Sequence, residues 1–246
     1  TLSVDLANTQ WVAGSSVIYK LSAKAINTLS STEITYPKTW ASYSYPKTAF
    51  DANEAIGLYV VDNNNKVVAS NVKVTKAANG TWNMSSKVLK LAKYHYFAYY
   101  PYSTTAPQVD ATASDATAFF ADKVSKWQVK ADQSASSAED LKAQDLQVAK
   151  GVVRSDASTL TFEMSHQMGL AVLDLEAKNI VKTRKFNNNN YTYYYPNLSG
   201  RATSISESDY TDSGKQNVMA SNNFTGSNKP YKTSTANRYT QVVKPG

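Results

Sequence analysis

Residues 94–102 read YHYFAYYPY, and seven of the nine side chains are aromatic once histidine is counted. Successive residues of a strand point to opposite faces, so Tyr94, Tyr96, Ala98 and Tyr100 share one side while His95, Phe97 and Tyr99 share the other. Neither side is polar. A strand apolar on both faces belongs inside a sheet, with one face on the core and the other under a loop or a neighbouring module. Pro101 has no amide hydrogen for a ladder and marks the strand end. Two uses of the rings remain open: an exposed tyrosine platform for sugar rings or nucleobases, or the framework of a β-sandwich.

The rest of the chain favours strands as well. Ile56–Val61 (IGLYVV) is apolar on both faces, the Asp62–Lys66 cluster DNNNK is a turn, and Val68, Ser70, Val72 and Val74 alternate with polar neighbours. Together they predict a hairpin over Ile56–Val74. Ala77–Trp82 (AANGTW) supplies the next turn. Leu160, Phe162, Met164 and His166 fall on one strand face. After Gly169 the apolar phase moves to Ala171, Leu173 and Leu175, as a bulge or tight reversal requires. Between these regions, residues 103–158 are rich in Ala, Ser, Asp and Gln, and read as a surface connection between modules. A short helix with a capping box at Ser137–Asp140 is predicted within it.

At 246 residues the chain is long enough for two modules, each with its own core. Its net charge of +7 admits anionic partners. The lysines are nevertheless scattered singly, which predicts a solvated surface and no nucleic-acid interface. No stretch approaches the ~18 apolar residues of a membrane helix. Cysteine is absent, so disulfides, thiolate metal sites and cysteine nucleophiles are excluded together.

With two histidines, only Ser/His/Asp or paired-carboxylate arrangements remain for catalysis. None of the motifs for nucleophile elbows, zinc proteases, P-loops or dinucleotides occurs. His166, on an apolar strand side, reads as a hydrogen-bonded structural histidine, and so does His95. The DNNN turn lacks the spaced ligands and terminal glutamate of a calcium loop. No catalytic, metal or cofactor-binding residue is therefore assigned. The residues marked as structural or as possible ligand contacts are Tyr94, Tyr96, Tyr99, Tyr100, Tyr102 and His166.

Several segments, in order, resemble the fimbrillin family, the type V pilus subunits and related surface adhesins of Gram-negative anaerobes. FDANEAIGLYVVD (Phe50–Asp62) is similar to that family's Phe, acidic spacer and Ile-Gly-Val/Leu-Tyr strand. NGTWNMSSKVLKLAKYHYFAYYPY (Asn79–Tyr102) resembles its Gly-x-Trp strand and its aromatic strand closing in Ala-Tyr-Tyr-Pro-Tyr. DQSASSAEDLKAQDLQVAKG (Asp132–Gly151) is similar to its interdomain stretch, and LTFEMSHQMGLAVLDLEA (Leu160–Ala177) to its Leu-x-Phe-x-x-x-His strand and partner. The resemblance implies an all-β chain of two transthyretin-like β-sandwich domains, over 33–150 and 151–246, without enzymatic activity. It also implies a cell-surface life, with membrane attachment only through a lipid on the precursor. The implied partners are other pilus subunits, engaged by strand exchange, with a host protein or glycan as a further possible contact.

The order of the segments departs from the family. TQWVAGSSVIYKLSAKAINTLSS (Thr9–Ser31) resembles a strand that normally closes the second domain, yet here it comes first. The final YTQVVKPG reads as though it should run on into the opening TLSVDLANTQWVAGSSVIYKL. The expectation is that both ends lie in the second domain, with residues 1–32 completing the sheet begun by 155–246. No arginine precedes Arg154, so the arginine-directed processing site that the resemblance implies ahead of the first domain is not assigned.

Overall fold

Strands dominate the chain because β-branched and aromatic residues recur at alternate positions between short turns. The computed structural model describes residues 24–38, 48–154, 159–174, 179–186, 189–196, 227–235 and 238–246. The first sheet contains β1 (Lys24–Leu29), β2 (Ile34–Thr35), β3 (Ala55–Val61), β4 (Val67–Lys76), β5 (Trp82–Lys90) and β6 (His95–Tyr100). It continues with β7 (Gln147–Val153), β8 (Leu160–Glu163) and β9 (Ser165–His166). Its order is β1-β5-β4-β3-β6-β7-β8-β2, with β9 also paired to β7.

The sheet nearly closes on itself. β1 and β2 occupy opposite ends of this order, yet only the Ser30–Glu33 turn separates them in sequence. Glu33 ties the join: its carbonyl accepts from Phe162 N at 2.7 Å, and its carboxylate accepts from Ser30 N at 2.6 Å. The predicted hairpin is β3–β4, which pair antiparallel. Its turn is held by Asp62, whose Oδ1 accepts from Asn64 N and Lys66 N at 2.9 Å each.

The aromatic strand β6 lies between β3 and β7. Tyr96, Ala98 and Tyr100 face the main core with Leu58, Val74, Trp82 and Phe162. Phe97 and Tyr99 face the other way, into a second cluster with Tyr59, Phe119 and Phe120. The phenyl rings of Phe97 and Phe119 stack at 3.9 Å. Gly57 lies directly under Tyr99, where a Cβ would come within 2.2 Å of the ring. Only glycine lets the ring cross that strand.

Phe119 and Phe120 correct the reading of 103–158 as a surface connection. They belong to α1 (Ala116–Phe119) and its junction with α2 (Ala121–Lys126), and together they roof the outer face of β3 and β6. α3 (Ala138–Gln144) begins at the predicted capping box, where the Ser137 side chain accepts from Asp140 N and Asp140 accepts from Ser137 N. β7 follows it inside the sheet rather than in a linker. The expected boundary at 150/151 thus falls within β7.

A second sheet contains β10 (Gly169–Asp174), β13 (Tyr231–Lys232) and β14 (Arg238–Val243) in the order β10-β14-β13. Between them in sequence, β11 (Asn179–Phe186) and β12 (Asn189–Pro196) form a hairpin that pairs with no other described strand. On β10 the odd-phase expectation does not hold: Leu173 is 38% exposed, whereas Leu170 packs on the main core. Leu175 lies outside the described residues.

The expected placement of residues 1–32 is corrected for the part that is described. Lys24–Leu29 pairs with β5 in the first sheet, not with the strands after 155. Residues 1–23 lie outside the described residues.

The second sheet is spliced to the body by Gln133. Its buried side-chain amide accepts from Val242 N at 2.9 Å and donates to Val242 O and Lys130 O at 2.8 Å each. Its own backbone N donates to Lys229 O at 2.7 Å, and Lys229 N donates to Ala131 O at 3.0 Å. One glutamine side chain therefore does for β14 what a neighbouring strand would do.

Candidate functional site

The capping box sets the phase of α3, and that phase turns Leu141, Gln144 and the following Asp145 inward together. Lys142 is buried beside them, with its side chain 1% exposed. Its ammonium donates to Ala49 O and pairs with Glu54, and the Asp51 carboxylate lies 3.6 Å away. The rings of Tyr36 and Phe50 stand 5.1 and 5.2 Å from the nitrogen. Glu54 is completed by the Tyr100 hydroxyl, which donates to Oε1 at 2.7 Å. A buried ammonium persists where oxygen acceptors replace its water, and here they do.

A second polar group is centred on Asp145, which is fully buried. Its Oδ2 accepts from Gln147 Nε2 at 2.7 Å and lies 2.7 Å from His166 Nδ1. When Asp145 is ionised, the imidazole is the donor in that contact. Burial pushes the Asp145 carboxyl up from its usual range, opposed by the contacts with His166 and Gln147. The Tyr36 hydroxyl faces the same carboxylate without closing a hydrogen bond of normal length. Burial first and nearby carboxylates second raise the Tyr36 and Tyr100 phenols well above the ordinary tyrosine value.

These contacts join distant pieces of chain. Lys142 ties α3 to the loop before β3, and Asp145 ties the α3–β7 junction to β9. An Asp–His contact is also how a catalytic base is oriented. Here the His166 side chain is only 6% exposed, so the ring is packed into the wall rather than presented to solvent. An open depression of about 580 Å³ lies over it, lined by Pro37, Lys38, Glu163, Met164, Ser165 and Met168 as well as His166. Among the described residues, no three His, Asp, Glu or Cys converge as a metal site.

The six marked residues do not form one surface. Tyr96, Tyr99 and Tyr100 are buried, Tyr94 and Tyr102 are half-buried, and the His166 side chain is buried. Tyr96 OH donates to Leu89 O at 2.8 Å and accepts from Leu91 N at 2.7 Å, locking the turn before its own strand. Tyr99 OH donates to Asn71 Oδ1 at 2.7 Å. Burial pushes both phenols up to about 12. Tyr102 keeps part of its ring outside, with Lys73 Nζ 5.5 Å from its centre.

Sequence reasoning missed Glu54, Lys142, Asp145, Gln147 and Gln133. The one signal that could have found the middle three was the capping box, since a helix begun at Ala138 with Leu141 inward carries its next turn inward as well. No protein-family model matches the chain, and no curated protein matches it. A functional reading therefore rests on the sequence segments and on this geometry.

Proposed function

We propose that the chain is a structural and adhesive cell-surface protein, a fimbrillin-like pilus subunit or tip adhesin that assembles by β-strand addition rather than acting as a catalyst. In this reading its sheets are parts of two transthyretin-like sandwiches, and a lipid on the precursor holds it at the outer membrane. The observation that carries the proposal is the burial of the aromatic strand. A sugar platform needs several rings open side by side, whereas Tyr96, Tyr99 and Tyr100 are spent inside the protein. Rings used as framework fit a chain whose work is load-bearing and pairing.

A second observation supports pairing. Among the described strands, β10 pairs with β14 alone, so strand addition beside β10 is the kind of pairing this reading calls for. Main-chain hydrogen bonds give such additions their strength, and alternate side chains give them specificity. Electron microscopy of expressing cells, with and without the protein, tests the reading. Fibres that shorten or vanish in its absence support a subunit. Unchanged fibres together with unchanged attachment to host cells would remove both the subunit and the tip adhesin.

A further inference from the structure

Lys142 meets two carboxylates at one nitrogen. Its side chain is 1% exposed, whereas Glu54, in contact with it, is 19% exposed and Asp51, 3.6 Å away, is 50% exposed. Glu54 is fixed from three sides: Oε2 accepts from Lys142 and from Asp51 N at 2.5 Å, and Oε1 accepts from the Tyr100 hydroxyl at 2.7 Å. The Tyr36 and Phe50 rings, 5.1 and 5.2 Å from the nitrogen, cover it with carbon. The cluster therefore has a covered amine and an open side at Asp51.

An amine, a carboxyl carbon and a second carboxylate that moves protons are the parts of an amide-forming site. In water an ammonium and a carboxylate stay apart, because hydration stabilises both ions. Inside the protein much of that hydration is lost, and passing a proton from the ammonium to Glu54 leaves a neutral nucleophile. Holding reacting groups together supplies effective molarities of ~10⁵–10⁸ M, which oppose the water that drives hydrolysis. An amide also replaces a charge pair whose burial is costly with a neutral group.

We propose that Lys142 and Asp51 join in an intramolecular isopeptide bond, with Glu54 as the proton carrier. The nitrogen lone pair attacks Asp51 Cγ and forms the C–N bond. Two of the three ammonium protons pass by way of Glu54 to one Asp51 oxygen, whose bond to Cγ breaks and which leaves as water on the open side. Glu54 ends ionised as it began, and nothing is oxidised or reduced. The Lys142 ion pairs are the state that precedes the bond. Once it forms, residues 51–142, including β3 to β6 with α1 and α2, lie in one covalent loop. This site is independent of strand pairing and stands whether or not the chain forms fibres.

The test is denaturing electrospray mass spectrometry of the purified full chain, followed by tryptic peptide mapping. The expected intact mass is lower than the sequence sum by one water. The expected map contains a branched peptide, uncut after Lys142, in which fragment ions separate Asp51 from Glu54 on their shared peptide, residues 48–66. Lys142→Arg keeps a cation beside Glu54 without an amine that can be acylated in this way, and should run at full mass. Glu54→Gln keeps both bonding partners and should slow bond formation by about 10²–10⁴-fold, leaving the freshly purified variant at full mass. A wild-type chain at full mass, with Asp51 and Lys142 in separate linear peptides, would overturn the proposal. Water loss mapped to any other residues, or a bond that forms equally in Glu54→Gln, would overturn it too. The wild-type measurement needs no variant to fold.

Discussion

Replacing Gln133 by leucine tests how the second sheet is held. The two side chains are similar in size, so the change removes three hydrogen bonds without opening a large cavity. Lys130 is exposed and its carbonyl can turn to water. Val242 is buried, and its N–H and C=O would lose their only side-chain partner in that place. Each buried, unmatched backbone group costs about 1–3 kcal/mol, which for two groups gives roughly 2–6. The added apolar burial of leucine offsets about 1 kcal/mol of this. A net loss of about 1–5 kcal/mol is a large share of the ~5–15 that holds a typical domain.

Equilibrium urea unfolding measures the loss as a lower midpoint at constant slope, and hydrogen exchange at the Val242 amide reports it locally. Gln133→Glu adds a check of sign. A carboxylate there faces Val242 O and is repelled, whereas a protonated acid can donate to it. The folded-state pKa of that glutamate is therefore raised, so the variant should be most stable in acid and lose stability as pH rises toward neutral. If Gln133→Leu shifts stability by less than ~0.5 kcal/mol, or leaves exchange at Val242 unchanged, the splice has been misread.

Gly57→Ala should lower the melting temperature by forcing Tyr99 from its seat, at a cost of about 1–3 kcal/mol for an overpacked site; an unchanged melting temperature would refute the contact. Lys142→Met should cost about 3–5 kcal/mol, because it leaves Glu54 partly buried without its cation. Adding Glu54→Gln should recover part of that loss in urea titrations, and strict additivity would show that the two side chains are not coupled. Tyr96 and Tyr99, pushed up to about 12, should stay silent in an absorbance titration while exposed tyrosines ionise. Their folded pKa lies above the unfolded value near 10, so their contribution to stability is complete below about pH 10 and lost as pH rises toward 12. Ionisation of every tyrosine together near pH 10 would contradict the burial.

Local pattern was enough for elements whose two faces differ in chemistry or whose ends carry turn residues. The β3–β4 hairpin was legible because Asn and Asp tolerate its turn, with a continuous apolar run before it and alternation after it. The start of α3 was legible because Ser137 and Asp140 cap each other at fixed spacing. β6 was legible as an interior strand because neither of its faces is polar. The failures share a cause. β7 (QVAKGVV) mixes small, polar and apolar residues, and it becomes a central strand only because β6 and β8 supply its ladder partners. Phe119 and Phe120 sit in a stretch of weak pattern, and their burial depends on the rings of Tyr59, Phe97 and Tyr99 that pack beneath them.

The sequence by itself determined that the chain is strand-rich, where the aromatic strand stops and that thiol chemistry is excluded. These follow from side-chain period, from proline and from composition, all of which act within a few residues. Only the tertiary structure decided that β1 pairs with β5, that Glu54 and Asp145 meet Lys142 and His166, and that Gln133 completes β14. Those contacts join residues far apart in sequence, and their free energy exists only once the intervening chain has folded to bring the partners together. That is also why the rings of YHYFAYYPY, readable as platform or framework in the sequence, became framework only when β3, β7 and the α1–α2 roof closed over them.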